Sequence, residues 1–531
     1  MSKTVQEIQS WLISPDAIKV ILVEVSEVNV SSNLFDTSTI YLSSRPYISE
    51  NGINYNPCIV GGISYSESLN LKNTSSLNYG DIELDNTDGS NDTYLTYYWK
   101  NRPLNIYIGD VRWPRTDFSL VFSGIVSNIF VRNRNTLNIG LLDTMARLNV
   151  AISEETYEYT GSIGNIIPGY TGSFVRREGL EDVLKPITFG ECFNVTPVLI
   201  SEGYLGTTGA LYQFHNGIAE RVIEPRDNGA PVDWGDVLNA GSFYLTHSSY
   251  GTITASVQGY WGSSYKGGTD YKDRLFDIIG TILTKYGGDY KLSNSDIDFP
   301  SYTGSNNPYV GYYCTSRENV LDVCNKLAAS AGYQLVNNTV TAYVGSSTNV
   351  ASAGKVKLVR IDLQNVISVY TVTDDDMLLN TLRIVDTIPV KSSIKLSYCL
   401  NWTPESDNLA EAIAPNTVSF FKDEWLDHRY TSSNNKVLYR DSDEPEAEET
   451  YLINQTDAIN ELERRAYLFG TPRYIFEATY LPNMFYAQLG DGIQFDLTDT
   501  KYASVLNGKT GIIYSINRDW LKNTIVIGIL I

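Results

Sequence analysis

Over most of its length the chain alternates apolar and polar positions with a period of two. The runs are rich in Val, Ile, Tyr and Thr and are separated by Asn-Gly, Asp-Gly and Gly-Gly pairs. A period of two places successive side chains on opposite faces of a strand, and the Asn and Gly pairs supply the positive φ of tight turns, so the pattern predicts a mainly β protein. Helical spacing is confined to four places. Thr4 with Glu7 reads as a capping box ahead of a short helix, after which "IKVILVEV" from Ile18 reads as a buried strand. After Thr269, the residues Leu275, Ile278, Ile279, Ile282 and Leu283 recur three and four apart, with Gly287 placed to stop the helix. Thr315 with Glu318 opens a third helix carrying Val320, Leu321, Cys324 and Leu327 to Gly332. A fourth runs from Thr456 through Ile459, Leu462 and Ala466 to Gly470. Each has one apolar stripe and should pack against sheet.

A chain of 531 residues exceeds what a single core supports, and four regions emerge. Residues 1–150 form a first small β-barrel domain. Residues 155–258 form a β-rich insertion, with two-residue hairpin turns expected at Asn216-Gly217 and Asn228-Gly229. Residues 260–350 hold two helices and short strands, a small α+β domain. Residues 355–531 form a second β-barrel domain with one helix and a charged surface loop at 440–450, "RDSDEPEAEET".

The two barrel assignments rest on a repeat. "FSGIVSNIFVRNRNTLNIGLL" (122–142) returns at the C-terminus as "KTGIIYSINRDWLKNTIVIGIL" (509–530). Gly124, Ile125 and Ile129 fall over Gly511, Ile512 and Ile516. Asn135, Thr136, Ile139, Gly140 and Leu142 then fall over Asn523, Thr524, Ile527, Gly528 and Leu530, with the offset larger by one residue, as one loop-length change would produce. An apolar-Gly-Asp unit precedes each copy, "YIGD" ending at Asp110 and "QLGD" ending at Asp491. In the closing strands Leu137, Ile139 and Leu141 match Ile525, Ile527 and Ile529 on one face. On the other face Asn138 becomes Val526, so the second copy is expected to be the one covered by another domain or subunit.

Composition narrows the chemistry. Forty basic against 61 acidic residues give a net charge of −21, with no Lys/Arg cluster to track a phosphate backbone. The five cysteines, Cys58, Cys192, Cys314, Cys324 and Cys399, are dispersed and form neither a disulfide framework nor a metal motif. No run approaches the ~20 apolar residues of a membrane helix, and the N-terminus lacks a signal-peptide pattern; a soluble protein made in a reducing cytoplasm is expected. "LDNTDGSNDT" (84–93) places Leu84 where a calcium loop needs its first ligand, and reads instead as an Asx-rich turn. Asp491, Asp496 and Asp499 could serve as paired carboxylates, yet Gln494, Asp496 and Thr498 alternate with Ile493, Phe495 and Leu497, which marks a solvated strand face. A Cys192, His215, Asp227 triad can be written without any local signature, and His428 lacks a second histidine at ligand spacing. Nucleotide-binding glycine loops are missing. No catalytic, cofactor-binding or metal residue is therefore assigned. The 38 tyrosines and eight tryptophans leave open a receptor- or carbohydrate-binding protein, and the Asp-rich loops, more remotely, a wall-degrading enzyme.

Three stretches carry a family resemblance: "NYGDIELDNTDGSNDTYLTYYWKNRPLNIYIGD" with "LVFSGIVSNI"; "INELERRAYLFGTPRYIFEATYLPNMFYAQLGDGIQFDL" with "NGKTGIIYSINRDWLKNTIVIGILI"; and residues 185–259. Together they make the chain resemble the tail hub proteins of long-tailed bacteriophages, found at the baseplate centre or tail tip. The resemblance implies a homotrimer whose paired barrels match a six-fold tail tube or distal tail protein to a three-fold spike or fibre. It also implies contact with a tape measure protein and a channel through which DNA passes without specific binding. Such a protein is a virion component assembled in the host cytoplasm, and it needs no cofactor. Some relatives hold an iron-sulfur cluster on clustered cysteines, which this dispersed set does not match.

Overall fold

The computed structural model describes all residues except 1–2, 34, 62–63, 72–75, 158–177, 204–208, 238–239, 263–269, 300–305, 339–341, 344–349, 352–353, 406–408, 412, 414–416 and 441–443. Thr269 and part of the 440–450 run thus lie outside the described residues. The molecule is mainly β, with several separate sheets and a few helices.

Helix α1 (Val5–Leu12) starts at the expected box: the Thr4 N–H donates to Glu7 Oε2 at 2.7 Å and the Glu7 N–H to Thr4 Oγ1 at 3.3 Å. The first sheet then uses β1 (Lys19–Asn29), β2 (Thr37–Ser43) and β3 (Ile59–Gly61), followed by a hairpin of β4 (Ser64–Ser68) and β5 (Ser76–Tyr79) that leaves it. It resumes with β6 (Asp81–Asp85), β7 (Pro103–Asp110), β8 (Ser119–Asn133) and β9 (Thr136–Leu142). Its order is β2-β1-β7-β8-β9-β6-β3, antiparallel throughout. The continuous apolar run of β1 is explained by burial on both faces. Ile21, Val23 and Val25 enter the main core, while Val20 and Leu22 pack with Tyr47, Tyr55 and Phe118.

Residues 191–260 form two four-stranded sheets. One contains 191–195, 219–227, 230–231 and 253–260; the other contains 198–201, 211–215, 234–236 and 241–245. Cys192, Phe214, Phe243 and Val257 are among the side chains that close the core between them. Asn228 (φ 46°) and Gly229 (φ 81°) make the expected two-residue turn, with Asp227 facing Ala230. Asn216-Gly217 does not: the strands on either side of it belong to different sheets, so it is a crossover between layers.

Helix α2 (Leu275–Lys285) buries the expected stripe and Gly287 follows it at φ 90°; α3 (Val320–Ser330) buries Val320, Cys324 and Leu327 as expected, but Leu321 is half-buried and Val323 lies inside instead. Glu318 is not a helix cap. It accepts the Tyr312 hydroxyl at 2.6 Å and Lys326 Nζ at 2.5 Å, and α3 begins only after Asn319. Helix α4 (Gln455–Phe469) buries Ala458, Leu462 and Ala466 but exposes Ile459, because its inner face also carries Glu461, Arg464 and Arg465. Leu396, Leu452 and Leu462 share a core with α2 and α3.

The second large sheet contains β10 (Ser368–Thr373), β11 (Arg383–Ile388), β12 (Arg473–Tyr480), β13 (Gly492–Asp496), β14 (Thr510–Asp519) and β15 (Thr524–Leu530), in the order β10-β13-β14-β15-β12-β11. β10 runs parallel to β13; the other pairs are antiparallel. β4 pairs with β14, Ser64–Ser68 lying against Asp519–Ser515, so a strand from the first sheet's chain completes the second. Residues of both sheets share one hydrophobic core.

Candidate functional site

The repeat becomes a duplicated four-strand unit, β7-β8-β9-β6 in the first sheet and β13-β14-β15-β12 in the second. Registers coincide. Ile125 faces Leu142 and Val126 faces Leu141, as Ile512 faces Leu530 and Ile513 faces Ile529; both ladders are then interrupted by a bulge, after which Ile129 faces Ile139 and Ile516 faces Ile527. The one-residue offset falls beyond the matched pairs Phe130–Asn138 and Asn517–Val526: the turn between Asp519 and Thr524 is two residues longer than that between Asn133 and Thr136, and a second bulge between Phe130 and Asn133 takes up one of them. Asp81 faces Gly140 as Glu477 faces Gly528.

The glycines of the repeat have a common steric cause. A Cβ on Gly124 would run into the Leu142 carbonyl, and one on Gly511 into the Leu530 carbonyl at 2.6 Å. A Cβ on Gly140 would strike Ser127 Oγ, and one on Gly528 would strike Ser515 Oγ, each hydroxyl belonging to the bulge opposite. At the first glycine of each copy the obstacle is backbone; at the second it is a serine hydroxyl that would have to rotate away.

Two details of the sequence reading are corrected. The Gly-Asp units are not counterparts: Gly109-Asp110 closes β7, whereas Gly490-Asp491 precedes β13. The true counterpart of Gly490-Asp491 is Asn101-Arg102. The Gly490 N–H donates to the Ile513 carbonyl (2.9 Å) and the Ile513 N–H to the Asp491 carbonyl (2.9 Å), as the Asn101 N–H donates to Val126 (2.8 Å) and the Val126 N–H to Arg102 (2.9 Å). Gly490 has φ 85° and Asn101 φ 62°, two residue types that tolerate the left-handed region. Of the contrast between Asn138 and Val526, the first member is corrected: the polar Asn138 does not face solvent. Asn138 is buried, its amide donating to Asp81, which Arg132 also engages at 2.6 Å, whereas Val526 is only half-buried within this chain. The matched faces behave as expected, with Leu137, Ile139, Leu141, Ile525, Ile527 and Ile529 all in the shared core.

Polar side chains lock the junction between the units. Arg518 on β14 is 0% exposed; its Nε donates to the Phe485 carbonyl at 2.9 Å, its Nη2 to the Ala487 carbonyl and its Nη1 to Glu67 on β4 at 3.4 Å. Tyr65 on β4 reaches back to the Val121 carbonyl at 3.0 Å, and Tyr486 meets Ser119 Oγ at 3.0 Å. Gln334 brackets the backbone of Asn70 with its amide, at 2.9 and 2.7 Å. Beside the junction, Glu461 on α4 accepts from Arg464 and Arg465. Burial raises the Glu461 pKa, and the neighbouring guanidiniums overcome it, bringing the carboxyl down to about 2. The sequence reading missed this cluster, because i, i+3 and i, i+4 charge pairs on a helix usually mark a solvated face.

Residues considered for chemistry each have local partners. Cys192 is buried with its Sγ toward the Phe189 carbonyl, and burial holds its thiol well above the ordinary range. His215 lies in the other sheet, its Nδ1 accepting the Thr188 N–H at 3.1 Å; burial lowers it to about 3. Asp227 accepts the Tyr250 N–H at 2.6 Å. Gln494, Asp496 and Thr498 are exposed, as expected, while Ile493, Phe495 and Leu497 are buried. The Asp499 loop receives a carboxylate: the N–H groups of Thr498, Asp499 and Thr500 donate to Asp374 at 2.7, 3.2 and 3.0 Å. With the Thr500 and Thr498 hydroxyls, they hold Asp374 well below the usual range. Asp491 accepts the Gln488 N–H at 2.8 Å. In the 84–93 turn Asp85 accepts the Thr87 N–H at 3.1 Å and Asp88 the Ser90 N–H at 3.0 Å, the local bonding of an Asx-rich turn. His428 stacks on Tyr398, ring centroids 5.5 Å apart, and contacts Gln455. The five cysteines are buried and unbridged.

No protein-family model matches the chain, and no curated protein is similar in sequence. Solved structures with a partial likeness include the 43 kDa tail protein of prophage MuSo2 from Shewanella oneidensis, at 12% identity and TM-score 0.40, covering 96% of this chain and 98% of that one. A tail protein from Neisseria meningitidis MC58 shows 8% identity and TM-score 0.38, with 97% and 96% covered. A chain from the virion of a native gene transfer agent particle shows 12% identity and TM-score 0.41, with 72% and 90% covered.

Proposed function

We propose that this chain is a structural protein of a phage tail and, within the tail, the homotrimeric hub of the tip or baseplate. The observation that carries the reading is the duplicated unit, with equal strand order, equal register across the shared bulge and glycines at matching close approaches. A ring of six quasi-equivalent positions can be built from three chains only if each supplies two similar units, and such a ring joins a six-fold tube to a three-fold spike or fibre. In this reading residues 1–150 and 355–531 supply the tube-like units, and 155–258 is an outward module for neighbouring tail proteins. The tape measure protein ends at the ring, and DNA leaves through it. The net charge of −21 suits a channel that releases DNA. Mass measurement of the purified chain tests the reading: three 59.3 kDa chains give a particle of about 178 kDa. A stable monomer that binds cells unaided would favour a receptor-binding protein instead.

A further inference from the structure

Beside the Asn228-Gly229 turn of the insertion lies a cleft of about 250 Å³. That is below the ~300–1,000 Å³ of sites for drug-sized ligands and suits a single long side chain. Its walls are apolar, formed by Ala230, Val232, Leu245 and Ala410, and the Ala410 N–H donates to the Asn228 carbonyl at 2.9 Å. Asp227 also lines the cleft and is only 8% exposed. Its Oδ2 accepts the Tyr250 N–H, whereas its Oδ1 is buried and has no hydrogen-bond partner. Tyr250 completes the lining and is 94% exposed. No basic side chain pairs with Asp227 among the described residues: Arg226, next along the strand, is engaged by Glu224 and lies 4.6 Å from the centroid of the Phe421 ring. Glu405 senses the uncompensated charge. Burial and the Asp227 carboxylate together push its pKa up, and neither of its own carboxyl oxygens has a partner.

We infer that this cleft takes a lysine side chain of a protein that docks on the insertion. A buried carboxylate without a counter-charge is costly, and a cation brought by a partner removes that cost. The apolar walls suit the four-carbon lysine stem, the free Oδ1 suits its ammonium, and the Tyr250 ring offers a cation–π face. Arginine fits less well. With Oδ2 already taken, a single oxygen remains, which serves a point donor and not the two-pronged guanidinium. A bare metal ion would leave the apolar walls unused, and a neutral sugar would leave the charge unpaired. That the partner is a neighbouring tail protein rests on the function proposed above; the chemistry of the cleft does not.

Saturation-transfer NMR of the full chain with N-acetyl-lysine amide tests this, against the matching amides of norleucine, arginine and ε-acetyl-lysine and against glucosamine. The lysine probe should make contact through its ε-methylene and bind about tenfold or more tightly than the norleucine and ε-acetyl-lysine probes. Asp227→Asn keeps an acceptor for the Tyr250 N–H, so the melting temperature should not fall, yet lysine binding should weaken about tenfold. Tyr250→Ser should weaken it by a smaller factor, about threefold. Norleucine binding as well as lysine, no binding of lysine, tighter binding of glucosamine, or a lysine affinity indifferent to Asp227→Asn each overturns the inference and leaves the hub reading standing. A chain that binds the lysine probe as expected but is monomeric both in solution and in assembled tails overturns the hub reading and leaves the cleft.

Discussion

Glu67 and Arg518, 451 residues apart in the chain, form a buried ion pair across the join between the two units, with Nη1 of the guanidinium 3.4 Å from Oε1. Arg518 also holds the carbonyls of Phe485 and Ala487, so its charge is neutralised by the strand that one unit lends to the other. Removing one partner leaves a charge in a place that water does not reach. Arg518→Ala is expected to destabilise the junction by about 3–5 kcal/mol. The pair Glu67→Gln with Arg518→Met should recover much of that loss. Urea unfolding followed by limited proteolysis at strands β4 and β5 measures both.

The matched glycines make a paired prediction. Gly124→Ala and Gly511→Ala should each cost about 1–3 kcal/mol, because the new methyl group meets a carbonyl oxygen held in the ladder. Gly140→Ala and Gly528→Ala should fall together in the same way against Ser127 and Ser515. Gly280→Ala in α2 is the contrast: the nearest atom to the added Cβ is 3.8 Å away, and helix propensity should stabilise by up to about 1 kcal/mol. Thermal melting of the five variants checks the set, and unequal losses within a pair would deny the equivalence of the units.

Acid should weaken the protein in two windows. His215 is lowered from 6.5 to about 3 by burial, so between those values the unfolded chain takes up a proton that the folded chain refuses. Its contribution is complete above pH 6.5 and is lost as pH falls toward 3. Glu461 is lowered from 4.5 to about 2, so the stability it contributes is present above 4.5 and is lost as pH falls toward 2. Denaturation midpoints measured from pH 7 to pH 2 should fall through both windows. His215→Gln should flatten the upper one and Glu461→Gln the lower.

Asp374 is expected to order the loop that wraps it. Asp374→Ala should speed amide exchange at Thr498, Asp499 and Thr500, while Asp374→Asn should retain part of the protection, because it keeps a carbonyl acceptor. Unchanged exchange in the alanine variant would show that the loop is set by its own backbone.

The repeat was legible because it rests on glycine, the residue with fewest substitutes at a close backbone approach, and on strand faces whose period of two survives divergence. Gly124, Gly140, Gly511 and Gly528 therefore aligned correctly. The Gly-Asp units misled because Asn101 can adopt the conformation of Gly490, so the true counterpart carried no matching letters. Asn138 was misread because a lone polar residue on a strand signals solvent. Asp81, 57 residues away, supplied a buried partner that spacing does not reveal. Glu461, Arg464 and Arg465 carried no signal in the sequence for the same reason: long-range packing decides which side of α4 is inside.

The central claim is that the unit around Gly124 and the unit around Gly511 occupy alternating, equivalent positions in one ring built from three chains. Cryo-electron microscopy of the assembled tail end tests it most directly. The account predicts a three-fold ring with six copies of the four-strand unit at one radius. A single copy of the chain at the tip, or two units at different radii with unrelated neighbours, would contradict it.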